Sequence, residues 1–119
     1  MRNKSIDLET AKKKNIILFS TPFDESAVEL LTKVGVPAFK ISSFENTDVG
    51  LIKNVATRNK PVLISTGMAE KNEIKKVVET VRQGGCEELL LLHCISSYPT
   101  PLASSKLNMI KMHINEFKL

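Results

Sequence analysis

The chain has 119 residues, 42% of them hydrophobic and 25% charged, with a formal net charge of +4 at pH 7. That length provides one domain at most, since domains commonly hold about 100–150 residues. Two cysteines exclude a disulfide scaffold, no stretch approaches the ~20 apolar residues that span a bilayer, and sparse aromatics without a recognisable motif argue against a nucleic-acid surface.

The N-terminal fifteen residues are polar and contain no apolar stretch resembling a signal peptide. Lys12, Lys13 and Lys14, with Lys75 and Lys76 further on, hold much of the positive excess and read as solvated helix faces. A basic balance also suits an anionic small-molecule substrate. A cytoplasmic location is expected, with Cys86 and Cys94 as reduced thiols.

Residues 16–19 form the first of four short apolar runs; the others are 38–41, 61–64 and Leu89–Leu92. Each is too short for a typical helix and lacks polar–apolar alternation, the pattern of parallel strands covered on both faces. After the first run, Asp24 is placed to cap a helix over Glu25–Val34, with Val28, Leu31 and Val34 along one face and Gly35 as its stop. The spacing predicts a second helix over about 46–57, burying Val49, Ile52 and Ala56. A third, over Lys71–Gln83, turns Ile74, Val77, Val78 and Val81 inward and ends at Gly84 and Gly85. The last, over about 105–117, carries Leu107, Ile110 and Ile114. Four strand–helix units suit either a doubly wound sheet or a (β/α)8 barrel. Periodicity leaves both open. No linker divides the chain, so residues 1–119 read as a single α/β domain.

In both folds ligands gather where strands end and helices begin. The segments there are Ser20-Thr21-Pro22-Phe23-Asp24, Lys40-Ile41-Ser42-Ser43-Phe44-Glu45, Ser65-Thr66-Gly67-Met68 and His93-Cys94-Ile95-Ser96-Ser97-Tyr98-Pro99. All four carry hydroxyls, and one adds a lysine within an apolar strand. Backbone N–H groups and hydroxyls near helix N-termini favour an anion, and an ammonium in an apolar strand needs such a partner. Taken singly, each Ser or Thr also reads as a helix cap, and Lys40 as a side chain snorkelling to the surface. His93 reads as a hydrogen-bonded structural histidine, His113 as solvent-facing in a Lys-flanked helix, and Met68 as packing.

The same four segments, in this order and spacing, resemble the N-acetylneuraminate (sialic acid) synthase family, including pseudaminic and legionaminic acid synthases and spore-coat polysaccharide relatives. The resemblance covers nearly the whole chain. It implies a partial (β/α)8 TIM-type barrel of four parallel strand–helix units, the third to sixth of the barrel. It also implies a reaction: condensation of phosphoenolpyruvate with an N-acylated hexose to a nonulosonic acid, with release of phosphate. Carried over by position, Thr21, Lys40, Ser43, Ser65 and Ser96 would line the phosphoenolpyruvate site, while Tyr98 and Glu45 would lie toward the sugar. Ser96 stands where some members have Asn, and Ser42 where Ala or Gly is more usual. A divalent metal, manganese or magnesium, is implied as cofactor, its ligands expected outside this chain. The expectation is therefore an incomplete segment, inactive alone, arising as a truncated product, fragment or split subunit. Its partners would be a second copy or a complementing barrel fragment. Two other readings stand beside it: a non-catalytic partial-barrel remnant assembling through open edges, and another phosphoenolpyruvate-using aldolase.

Overall fold

The computed structural model describes residues 4–95 and 99–119. In chain order these form α1 (Lys4–Lys13), α2 (Glu25–Val34), β1 (Phe39–Ile41), α3 (Val49–Ala56), β2 (Val62–Ser65), α4 (Lys71–Gln83), β3 (Leu89–Leu92), a 3-10 turn (Leu102–Ser104) and α5 (Asn108–Phe117). The strands make one parallel sheet in the order β1-β2-β3, with Phe39 opposite Val62 and Val62 opposite Leu89.

Successive strand side chains point to opposite faces. Phe39, Ile41, Val62 and Ile64 are buried and form one core with Val28 and Leu31 of α2, Leu51, Ile52 and Val55 of α3, and Val77 and Val81 of α4. The alternate row runs Lys40, Leu63, Leu90 in register. Lys40 and Leu63 are half-buried and Leu90 is 54% exposed. The helices thus pack on one face and, among the described residues, leave the other open. A doubly wound sheet carries helices on both faces; an arc of a (β/α)8 barrel carries them on the outside only.

Three of the four expected strands form. Residues 16–19 do not pair, and Ile16 and Ile17 are 59% and 79% exposed; only Ser20 makes a parallel bridge, to Phe39. Stepping back from that bridge sets Leu18 opposite Pro37, which has no N–H to give a ladder, and Ile17 opposite Val36, whose N–H is already bonded to Leu31 O at 3.2 Å. Helix α1 bears out the reading of Lys12 and Lys13 as a solvated helix face, although its span was not expected: it is polar, and among its described side chains only Leu8 and Ala11 are buried.

Helix α2 matches its expected span, capped by Asp24 Oδ1, which accepts from Ala27 N at 2.8 Å, and stopped by Gly35 at φ 77°. Helix α3 starts three residues later than the spacing suggests, because Asp48 is its N-cap and accepts from Leu51 N at 3.1 Å. Residues 43–47 are turn instead. Gly84, at φ −73°, is needed for room rather than for an unusual backbone: a Cβ there would lie 2.5 Å from Ala56 Cβ.

Helix α5 begins at Asn108 and buries a different face from the one expected. Leu107, Ile110 and Ile114 are 63%, 46% and 48% exposed, whereas His113 and Phe117 are buried. Phe117 packs on Ile74 and Val78 of α4, and Arg82 donates to Phe117 O at 2.8 Å. His113 is therefore not solvent-facing; its ring lies 5.8 Å from that of Phe117 and 6.3 Å, edge-on, from that of His93. His93 is the structural histidine expected, with Nε2 2.7 Å from Ser105 O.

Substituting Gly84→Ala should destabilise the chain by about 1–3 kcal/mol, the usual range for overpacking. Urea unfolding would measure this, and an unchanged midpoint would show that the α3–α4 contact can yield. Burial, and next the charge of His93, hold the His113 pKa below its ordinary value. The folded chain then binds fewer protons than the unfolded one. The associated stability is present above the ordinary histidine value and is lost as pH falls from there through the folded value. The other charged groups around this docking are Arg82 and the Lys71–Glu116 ion pair, 3.3 Å apart. Thermal unfolding should show the wild type losing more stability than His113→Phe on going from about pH 7.5 to about pH 5.5.

Candidate functional site

Parallel register brings every strand end to one rim. Lys40 N donates to Ser20 O at 3.2 Å, which sets Thr21 just beyond the bridge and beside the end of β1. Ser65 closes β2 opposite Leu92, the last residue of β3. By alternation Ser65 shares the open face with Leu63, and Leu63 pairs with Lys40. Thr21, Lys40 and Ser43 are half-buried, and Ser65 is 4% exposed. Thr21, Lys40, Ser43 and Ser65 thus occupy one end of the sheet. Ser96 and Tyr98 lie outside the described residues.

Helix capping does not account for these hydroxyls. The N-caps are Asp24 for α2, Asp48 for α3 and Glu70 for α4. Asp24 accepts from Ala27 N and from the Ser26 hydroxyl, which holds its carboxyl below the usual carboxylate range. Glu73 accepts from Glu70 N at 2.9 Å. Carboxylates therefore fill the N-termini of α2, α3 and α4, leaving the hydroxyls at the strand ends before them for other contacts. Ser43 Oγ accepts from Gly67 N at 3.1 Å, and Thr66 Oγ1 donates to Leu92 O at 3.0 Å.

Glu45 sits in the turn after β1, its N–H bonded to Ser42 O at 3.1 Å. Its Oε2, like Ser42 Oγ, is enclosed and has no hydrogen-bond partner among the described residues. Buried polar atoms are nearly always satisfied, so two unpartnered ones on one turn are unusual. Met68 does not pack as expected: it is 62% exposed, with φ 63°. A non-glycine residue in that backbone region is uncommon, though Asn15, Asn59, Lys106 and Lys118 share it.

Sequence reasoning missed Asn46 by placing it at the head of a helix. Asn46 is 4% exposed, and its Nδ2 donates to Ser65 O and Gly67 O, both at 3.2 Å. The signal for it was the Asp48 cap, which ends the helix two residues short of Asn46.

Among the described residues no group of three or more His, Cys, Asp or Glu side chains could hold a metal ion. The described residues therefore do not make a site for the implied divalent metal. No helix among them is long and apolar enough to cross a membrane.

Residues 3–119 match the NeuB family model. An uncharacterised protein of Methanocaldococcus jannaschii is 48% identical over 103 residues, covering 87% of this chain and 31% of that protein. The N,N'-diacetyllegionaminic acid synthase of Campylobacter jejuni is 39% identical over 111 residues, covering 92% of this chain and 33% of the synthase. Among solved structures, the spore coat polysaccharide biosynthesis protein SpsE of Bacillus subtilis superposes with a TM-score of 0.90 at 34% identity, over 93% of this chain and 31% of that one. The chain spans about a third of the length of the curated relatives it matches. It belongs to the NeuB family, and its sheet and helices are an arc of that family's (β/α)8 barrel.

Proposed function

We propose that this NeuB-family chain supplies part of the phosphoenolpyruvate-binding mouth of a nonulosonic acid synthase, an enzyme that condenses phosphoenolpyruvate with an N-acylated hexose. The observation that carries the reading is the placement of Lys40 on the open face of β1, one strand away from Ser65 on the same face, with Ser43 fastened to Gly67 at the same rim. An ammonium and hydroxyl donors arranged this way suit the carboxylate and phosphate of an enol ester. Hydrogen bonds to charged partners are also the strong ones.

Each residue then has a role. Lys40 neutralises the anion. Ser43 already accepts from Gly67 N–H, so its own hydrogen is left to donate. Ser65 and Thr21 orient the ligand from the flanking strand ends. Ser96 and Tyr98, on the segment after β3, belong to the same proposed mouth on the phosphoenolpyruvate and sugar sides respectively. Glu45, with one enclosed oxygen unpaired among the described residues, is proposed to accept from a sugar hydroxyl. Attack by the enol carbon on the sugar aldehyde, addition of water and loss of phosphate need groups beyond these. The chain by itself is accordingly proposed to bind without turning over. A divalent metal, held by groups beyond these, would polarise the aldehyde. The family match disfavours another phosphoenolpyruvate-using aldolase.

A second reading, assembly through the open face, is favoured by the exposure of Ile16, Ile17 and Leu90 beside unpaired strand edges. Sedimentation at rising concentration should show association with a second copy, and a compact monomer throughout would end that reading.

Calorimetric titration with phosphoenolpyruvate should give weak binding for the wild type. Lys40→Ala should lose about tenfold or more, the equivalent of one charge-assisted bond. Equal affinities would remove Lys40 from the site, and no binding by the wild type would defeat the proposal.

A further inference from the structure

We infer that Asn46 is a positioning residue for this mouth: its buried side-chain amide ties the loop after β1 to the loop after β2 and so sets Ser43 and Ser65 in register with Lys40. The inference rests on the phosphoenolpyruvate reading above.

Register shows why such a tie is needed. Ile41 pairs with Ile64, so one step further Ser42 would face Ser65, but β1 ends at Ile41 and the chain turns away. The Ser65 carbonyl is thereby left without a backbone donor from β1. Asn46, four residues on, returns one N–H to Ser65 O and gives the other to Gly67 O, both at 3.2 Å. Two carbonyl partners fix which end of the amide faces the loop, because only the NH2 end can donate twice. Ser43 Oγ completes the tie by accepting from Gly67 N at 3.1 Å.

The β2 loop is held equally from its other side. Thr66 donates to Leu92 O twice, from N at 2.9 Å and from Oγ1 at 3.0 Å. Ser65, Thr66 and Gly67 are therefore each bonded to a neighbouring strand end or loop, and Asn46 supplies both side-chain bonds that reach them from the turn after β1 as donor. Its near-complete burial makes the loss expensive: without the amide, two enclosed carbonyls lose their donor together. Those carbonyls would then seek other partners by rotating their peptide planes. That rotation would swing the Ser65 side chain and release Gly67 from Ser43, weakening a ligand that Asn46 itself never touches.

The test uses phosphoenolpyruvate as probe, with affinities read by calorimetry on protein shown to be folded by thermal unfolding. Asn46→Ala should bind about tenfold more weakly than wild type, the scale of loss when a supporting group lets a site loosen. Asn46→Asp keeps the shape but sets carboxylate oxygens against two carbonyl oxygens, so near neutral pH it should bind more weakly still. Lowering the pH from about 7.5 to about 6 should narrow its deficit against wild type as the carboxyl gains a proton to donate. The Asn46→Ala deficit should stay constant over the same interval. A residue that merely stabilises the fold would show no such divergence. The amide resonance of Gly67 gives a second readout: the probe should move it in the wild type and not in Asn46→Ala.

Should Asn46→Ala fail to fold, Asn46→Ser, which retains one donor, takes its place and should show an intermediate loss. If wild type binds and Lys40→Ala does not, yet the folded Asn46 variants bind as wild type, the inference is overturned and the phosphoenolpyruvate reading survives. Absence of binding by the wild type overturns both.

Discussion

The rim depends on a single ladder constraint: in a parallel sheet whose side chains alternate, a one-residue slip would exchange the two faces. Lys40 lies between Phe39 and Ile41, both fully buried against the helices. In the observed register its ammonium emerges on the open face beside Leu63. Slipped by one, the charge would enter the core among Val28, Leu51 and Ile52, where an unpaired ammonium is costly. The residue proposed to give the mouth its charge therefore also helps to specify the register of the rim. Hydrophobic burial of Phe39 and Ile41 supplies the affinity of strand for helices, and Lys40 forbids the alternative.

Much of this arrangement was legible in the sequence, and where it was not, the reason is local. The spans of α2 and α4 follow from strong signals that agree: Asp24 before and Gly35 after one, the row Ile74, Val77, Val78 and Val81 inside the other. The run at residues 16–19 has the composition of a strand, but Pro37 and the engaged N–H of Val36 deny it a ladder, and composition cannot report the partner's donors. The span of helix α1 was not legible, beyond the solvated face of Lys12 and Lys13, because Leu8 and Ala11 leave almost no apolar period to read. On α5 the burial of His113 and Phe117 in place of Ile110 and Ile114 was decided by where Arg82 and the β3 end meet the helix, contacts with residues 35 positions away and 20 positions away.

The candidate site divides in the same manner. The strand-end hydroxyls and Lys40 were visible as residue types, and their shared rim follows from parallel pairing alone. What composition could not decide was whether the hydroxyls were caps. Coordinates decide it, because Asp24, Asp48 and Glu70 hold the capping positions. A cluster of Ser and Thr beside helix starts is ambiguous in a sequence; it loses that ambiguity once each start already owns a carboxylate. Asn46 illustrates the converse. It lies within reach of a helical period, and only the competing cap at Asp48 shows that it belongs to the turn, where its amide finds backbone carbonyls 19 and 21 residues away.

These contacts bear on how the rim is organised in a chain that spans a third of its relatives' length yet superposes on one of them with a TM-score of 0.90. The bonds that shape the mouth run between adjacent loops: Lys40 to Ser20, Ser43 and Asn46 to the β2 loop, Thr66 to the end of β3. Each joins neighbouring units, and all lie within the arc described. Preorganisation here is a property of successive strand–helix units and not of a closed ring, since every donor has its acceptor one strand away. The open face is where such an arc remains uncovered, with Leu90 exposed in the row that carries Lys40. Covering it would raise the electrostatic attraction of Lys40 for the proposed anion by excluding water, without rearranging the rim contacts already made.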